Sequence, residues 1–251
     1  MDSIFDRIGT LLRGCSTDSS HLPPTYLYNE GWMLRLIMDW FDQAGSTAHG
    51  HRLAISPDGE WGSEVLLPTT FKAQHRGDPR AESATHADGV IGHFNLRNGT
   101  KRGLELRAEG TQLVILEAKM FSGFSAGTKN APAFNQAARS VACVAEVLRR
   151  AGRSPLKIDI LAFHVLAPAS QITLGRFDPF LEKNSIRTQV AKRAADYDGT
   201  LDAWLASWFL PTMDKIEIRA ISWEELIRDI THVDPYGRQL NDFYQHCLES
   251  D

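Results

Sequence analysis

Cysteine is scarce in this chain. Three occur among 251 residues, at positions 15, 143 and 247. An odd count at wide spacing argues against a disulfide framework and against a structural zinc. Long apolar runs are missing as well: none reaches the ~20 residues of a membrane-spanning helix. The opening stretch, MDSIFDRIGTLLRG, lacks the pattern of a secretory signal, so a cytoplasmic protein is expected. There is no excess of positive charge, the formal net charge being −4. Proteins that coat nucleic acid are basic, so any nucleic-acid contact here has to be local. The glycines at 123–127 lack the Lys-Ser/Thr pair of a phosphate loop, and no G-x-S-x-G elbow occurs. Linker-like Pro/Gly/Ser stretches and internal repeats are also lacking. With 43% hydrophobic residues, one sizeable core is available, and a single domain over 1–251 is expected.

Periodicity supplies the elements. Leu27, Leu34, Ile37, Met38 and Phe41 share one helical face, which predicts a helix from Thr25 to about Gln43, stopped by Gly45. Strands are expected in SEVLLPT (63–69), DGVIGHFN (88–95), RGLELRA (102–108) and 112–120. The Asn98-Gly99 turn signal makes this middle region read as an antiparallel meander. Asn130 is a plausible cap, with Pro132 in the first turn, for a helix running to about Arg150 and ending at Gly152. LKIDILAFHVL (156–166) reads as another buried strand, followed by helices near 185–197 and 201–209. KIEIRAI is a late strand. Ser222 and Glu225 form a capping-box pattern for the next helix, and a final helix starts near Gly237. The order predicts an α/β protein with a mixed sheet.

The run LVILEAKM, 113–120, places two charges in an otherwise buried segment. Side chains alternate along a strand. Val114, Leu116, Ala118 and Met120 therefore form an apolar face that packs on a helix. Leu113, Ile115, Glu117 and Lys119 form a face that begins apolar and ends charged. Such a strand opens into a cleft at its end. A carboxylate there suits a hard divalent cation such as Mg²⁺, and a lysine beside it can orient a water or stabilise a phosphoryl oxygen. One carboxylate is rarely enough for Mg²⁺, so a second acid is expected from a neighbouring strand. Asp88, at the start of the preceding strong strand, is the candidate.

Asp88 followed by Glu117-Ala118-Lys119 resembles the PD-(D/E)xK nuclease superfamily. The resemblance covers about residues 25–166 and implies a restriction-endonuclease-like core, with 167–251 as a C-terminal extension. It implies that Asp88, Glu117 and the Ala118 carbonyl bind one or two Mg²⁺ (or Mn²⁺) ions, and that Lys119 assists attack of water on a phosphodiester of nucleic acid, DNA in the first instance. Many members carry a glutamate on the helix before the core sheet, a role that Glu30 matches. Glu30 lies on the apolar stripe, where a carboxylate is costly unless paired or metal-bound. Some exonuclease-like members carry a Gln on the helix after the E-x-K strand, followed four residues later by Tyr. Gln136 matches the first, but Ser140 stands at the second. Ala87, not Pro, precedes Asp88.

Each residue has a plainer reading. Glu117 and Lys119 could form a solvated ion pair, Asp88 could serve the turn before Gly89, and Glu30 could meet an arginine. Gln136 could be an ordinary helix-surface residue. His86, His93 and the pair His49/His51 are more often structural. Glu82 and Asp78 are further acids. Lys72, Arg76, Arg80, Lys101 and Arg102 are surface cations that could grip phosphates. Trp204, Trp208, Phe209 and Trp223 have ordinary core spacing, yet could serve a protein partner or a homodimer. The alternative function is a non-catalytic nucleic-acid- or protein-binding module on the same fold.

Overall fold

The computed structural model describes residues 24–73, 75–78, 80–82, 84–97 and 103–250. A five-stranded mixed sheet runs through it in the order β1 (Glu60–Leu67), β2 (Thr85–Gly92), β5 (Gln112–Ala118), β6 (Ile160–Ala167), β7 (Glu217–Ser222). β2 runs antiparallel to both of its neighbours, β1 and β5, whereas β5, β6 and β7 are parallel. β3 (Phe94–Leu96) and β4 (Leu104–Leu106) form a separate two-stranded ribbon. The expected meander is thus corrected. The strand over 112–118 pairs directly with β2, and the segment between them leaves the sheet as the ribbon. The Asn98-Gly99 turn, Lys101 and Arg102 lie outside the described residues.

Helices cover both faces, as a sheet with parallel strands requires. On one side, α1 (Glu30–Ala44), α4 (Trp223–Val233) and α5 (Tyr236–Glu249) bury residues such as Leu34, Phe41, Leu226 and Tyr244 against Ile91, Val114, Leu116 and Leu166. On the other side, α2 (Gln136–Ala151) and α3 (Lys183–Ala195) bury Val141, Leu148, Ile186 and Val190 against Leu113, Ile115, Phe163 and Val165. Trp204, Phe209 and Trp223 are buried in these cores, in line with their spacing.

Two helix starts differ from the sequence expectation, each because an asparagine caps later. α1 begins at Glu30, where the Asn29 side chain accepts from the Trp32 N–H at 3.0 Å; only a single turn, Pro24–Leu27, precedes it. α2 begins at Gln136 instead of near Asn130. The Asn135 side chain accepts from the Ala138 N–H at 2.8 Å, and 128–134 folds into turns. A side-chain acceptor in reach of a first-turn N–H decides the start. Gly152 closes α2 at φ 61°, the left-handed position that glycine favours.

One distortion sets up the candidate site. Along β1 and β2, Trp61 and Ile91 face the α1 side, and a Cβ on Gly89 would meet Leu34 Cδ2 at 3.0 Å on that side. Val65, Leu67 and Ala87 face the α2 side instead. Strict alternation would keep positions 61 and 65 on one face. The slip falls at Glu64 and Asp88. Glu64 has φ 54°, and the ladder joins Ser63 to Gly89 and Val65 to Ala87 with no pair between them. Here β2 also parts from β5, whose pairing stops at Gly89 and Leu116.

Candidate active site

β5 is buried along its whole length. Its position between β2 and β6, with helices above and below, explains why the run 113–118 is almost wholly apolar. Glu117 and Lys119 nevertheless lie inside this core: Glu117 is 1% exposed and Lys119 8%. That excludes the solvated ion pair. Lys119 Nζ donates to Glu117 Oε1 at 2.7 Å and stands 5.8 Å from the centroid of the Phe124 ring. The lysine backbone is pinned on both sides: its N–H donates to Leu166 O at 2.8 Å, and its carbonyl accepts from Trp223 Nε1 at 2.9 Å.

Asp88 reaches the same place from the splayed end of β2. Its Oδ2 accepts the Ala118 N–H at 2.7 Å, so its carboxylate occupies the gap where a ladder bond to β5 would otherwise lie. Gln136, the first residue of α2, donates through Nε2 to Glu117 Oε1. Its backbone N–H donates to Ser125 O, which ties the loop after β5 to the start of α2. Asp88, Glu117, Lys119 and Gln136, separated by up to 48 positions in sequence, therefore meet at one end of the sheet.

The electrostatics of this cluster are unbalanced. Glu117 Oε1 takes two donors, while Oε2 is buried without a hydrogen-bond partner. Burial, and then the neighbouring Asp88 carboxylate, push the Glu117 pKa up to about 8 against the opposing pull of Lys119. A buried carboxylate oxygen without a partner costs free energy. A divalent cation facing Asp88 and Glu117 would satisfy that oxygen and reverse the repulsion, so these two residues fit a Mg²⁺ or Mn²⁺ ion. Among the described residues, no group of three or more His, Cys, Asp or Glu is arranged to hold a metal. Among the described residues, the cluster thus offers the two carboxylates of Asp88 and Glu117.

Glu30 does not join them. It sits in the first turn of α1, where its charge favours the helix dipole, and it acts on the Cys247 thiol of α5, whose pKa burial and then Glu30 push up to about 12. Among the described residues, no hydrogen bond or ion pair links Glu30 to Asp88, Glu117 or Lys119.

The remaining candidates separate clearly. His93 Nδ1 lies 3.2 and 3.1 Å from the N–H groups of Thr111 and Gln112, and its Nε2 is 2.9 Å from Pro57 O, which makes it structural. His86 is exposed, as are Lys72 and Arg76. Asp78 and Arg80 pair with each other, and Arg80 also reaches Asp198. Glu82 is buried 3.6 Å from Arg193. Sequence reasoning missed Arg139 and Arg176. Arg139 Nη2 donates to Ser125 Oγ at 3.2 Å, and Arg176 Nη1 donates to Phe121 O at 3.0 Å. Both bring cations to the loop that follows Lys119. Only their spacing from Gln136 and Lys119 along the folded chain reveals this, and no linear motif carries it. Glu64 was missed too: φ cannot be read from a strand pattern. Its carboxylate lies 3.6 Å from Arg35.

Comparisons with protein-family models, with curated proteins and with solved structures give no match for this chain.

Proposed function

We propose that this protein is a metal-dependent nuclease of the PD-(D/E)xK type that hydrolyses phosphodiester bonds, with DNA as the first substrate to test. The observation that carries the reading is the convergence of the buried Glu117 and Lys119 with the half-buried Asp88 at a splayed strand end, with Glu117 Oε2 left without a partner. The order of elements supports it as well: a helix precedes the mixed sheet, the Glu-Ala-Lys strand is central, and the next helix presents Gln136.

Asp88 and Glu117 would hold the cation, with the Ala118 carbonyl as the third donor that the resemblance implies. A bound divalent cation supplies Lewis-acid polarisation of the phosphodiester. The chain's own groups do the rest. Lys119 holds its ammonium beside the carboxylates, where it can orient an attacking water or stabilise charge on a phosphoryl oxygen. Gln136 fixes the Glu117 carboxylate in one orientation. Arg139 and Arg176 offer local positive charge to a phosphate backbone in a protein that is acidic overall.

The test is calorimetric titration with Mn²⁺ alongside a cleavage assay, on the wild type, Asp88→Asn and Glu117→Gln. Metal binding and cleavage lost together in both variants support the reading. Undiminished cleavage in either variant sinks the assignment of roles. A second reading, a binding module without chemistry, is favoured by the absence among the described residues of a third acidic, histidine or cysteine ligand. Metal-independent DNA binding with no cleavage would select it.

A further inference from the structure

At the opposite end of the parallel strands lies a cavity of about 480 Å³, lined at the starts of β6 and β7 by Ile160, Ala162, His164 and Glu217, and closed by the segment 49–57. It opens away from the candidate active site in two ways. Glu117 ends β5, whereas Ile160 and Glu217 begin their strands. Glu117 continues the α2-side face, whereas Ala162 packs on the α1 side.

His164 is the unusual residue here. It is 1% exposed, and its Nδ1 has no hydrogen-bond partner. Buried polar atoms of this kind nearly always find one. Burial holds the imidazole pKa down to about 4, so the ring is neutral and presents one donor and one acceptor. In the sheet, His164 pairs with Arg219 of β7. Arg219 and Arg52 both approach a single oxygen of Glu217, at 3.6 and 3.0 Å. Two guanidinium groups thus share one carboxylate, which leaves one positive charge uncompensated next to a neutral, unsatisfied imidazole. Lys215 and Asp159, also on the lining, add one charge of each sign. The walls are otherwise apolar, with Ile55, Leu161 and an Ile160 side chain that is 40% exposed.

We infer that this cavity is a binding site for a small organic anion of mononucleotide size, whose phosphate or carboxylate meets Arg52 while its planar or apolar body rests on Ile160 and hydrogen-bonds His164. The volume falls in the range of small-molecule sites, and apolar walls with a few convergent polar groups are their usual make-up. The inference stands apart from the nuclease reading, because it uses none of the same residues.

The test follows the His164 ring resonances by NMR during titration with adenosine monophosphate, adenosine, benzoate and inorganic phosphate. The full chain is used, together with His164→Leu and Arg52→Ala. Arg52 is half-exposed, so Arg52→Ala disturbs the core less than His164→Leu and serves as the second variant. Saturable shifts are expected with adenosine monophosphate or benzoate, weakened about tenfold or more in Arg52→Ala, as loss of a charge-assisted hydrogen bond implies. Preference for adenosine monophosphate identifies a phosphate ligand, and preference for benzoate a carboxylate. The inference is overturned if neither gives a saturable shift, if adenosine binds as well as its monophosphate, if inorganic phosphate alone binds, or if Arg52→Ala leaves affinity unchanged.

Discussion

Replacing Glu117 by Gln should make the metal-free protein more stable at high pH while abolishing the proposed cleavage. Glutamine keeps the shape and the Oε1 acceptor that Lys119 and Gln136 use. It removes the charge that burial and Asp88 oppose. In the wild type the Glu117 pKa is about 8, against an ordinary value of 4.5. A raised folded-state pKa means that the stabilising contribution is fully present below about pH 4.5 and is lost as pH rises through about 8. A displacement of that size corresponds to up to about 5 kcal/mol between the two limits. Glutamine does not titrate, so the variant escapes this loss. Urea unfolding in the presence of EDTA, at pH 5 and pH 9, reads the difference directly. The variant should gain on the wild type by several kcal/mol between the two pH values, with other titrating groups cancelling in the comparison. A difference that stays constant with pH, or a wild type that is the more stable at pH 9, would refute the claim that this carboxylate is electrostatically frustrated.

Other expectations follow from the same geometry. Leu148→Ala, in the buried face of α2, should cost about 2–5 kcal/mol in denaturant unfolding. Asn135→Ala removes the α2 cap and should cost about 1 kcal/mol, and because Gln136 follows the cap, cleavage should fall by more than stability does. Glu82 has a pKa raised to about 7, chiefly by burial, so its contribution is lost between about pH 4.5 and 7. Glu82→Gln should therefore flatten the decline in thermal stability over that window, on the order of 3 kcal/mol. Glu30→Gln should leave metal affinity unchanged in calorimetry, since Glu30 acts on Cys247 and is not among the groups that shift Glu117.

Much of the core was legible because it obeys simple periods. The alternation in 113–120 placed Leu113 and Ile115 on one face and Val114 and Leu116 on the other, as the two cores confirm. The Ser222 cap was legible too, since its side chain accepts the Glu225 N–H at 3.0 Å. The misread helix starts show the limit of such signals. Asn130 with Pro132 looks as good a cap as Asn135, and only the packing of the 128–134 turns decides between them. The need for a second acid beside Glu117 already placed the Asp88 strand next to β5, but the departure of β3 and β4 from the sheet was illegible because that ribbon carries its own strand pattern. The face switch at Glu64 and Asp88 leaves no trace in composition, yet it directs the Asp88 carboxylate onto the Ala118 N–H.

The central claim is tested most directly by incubating the protein with linear and circular DNA, single- and double-stranded, and with RNA, in Mg²⁺ or Mn²⁺, beside an EDTA control and Lys119→Ala. The account predicts metal-dependent cutting of DNA that disappears with EDTA and in the variant. Cutting that persists in Lys119→Ala, or DNA left intact by a wild-type protein that binds the metal, would contradict it.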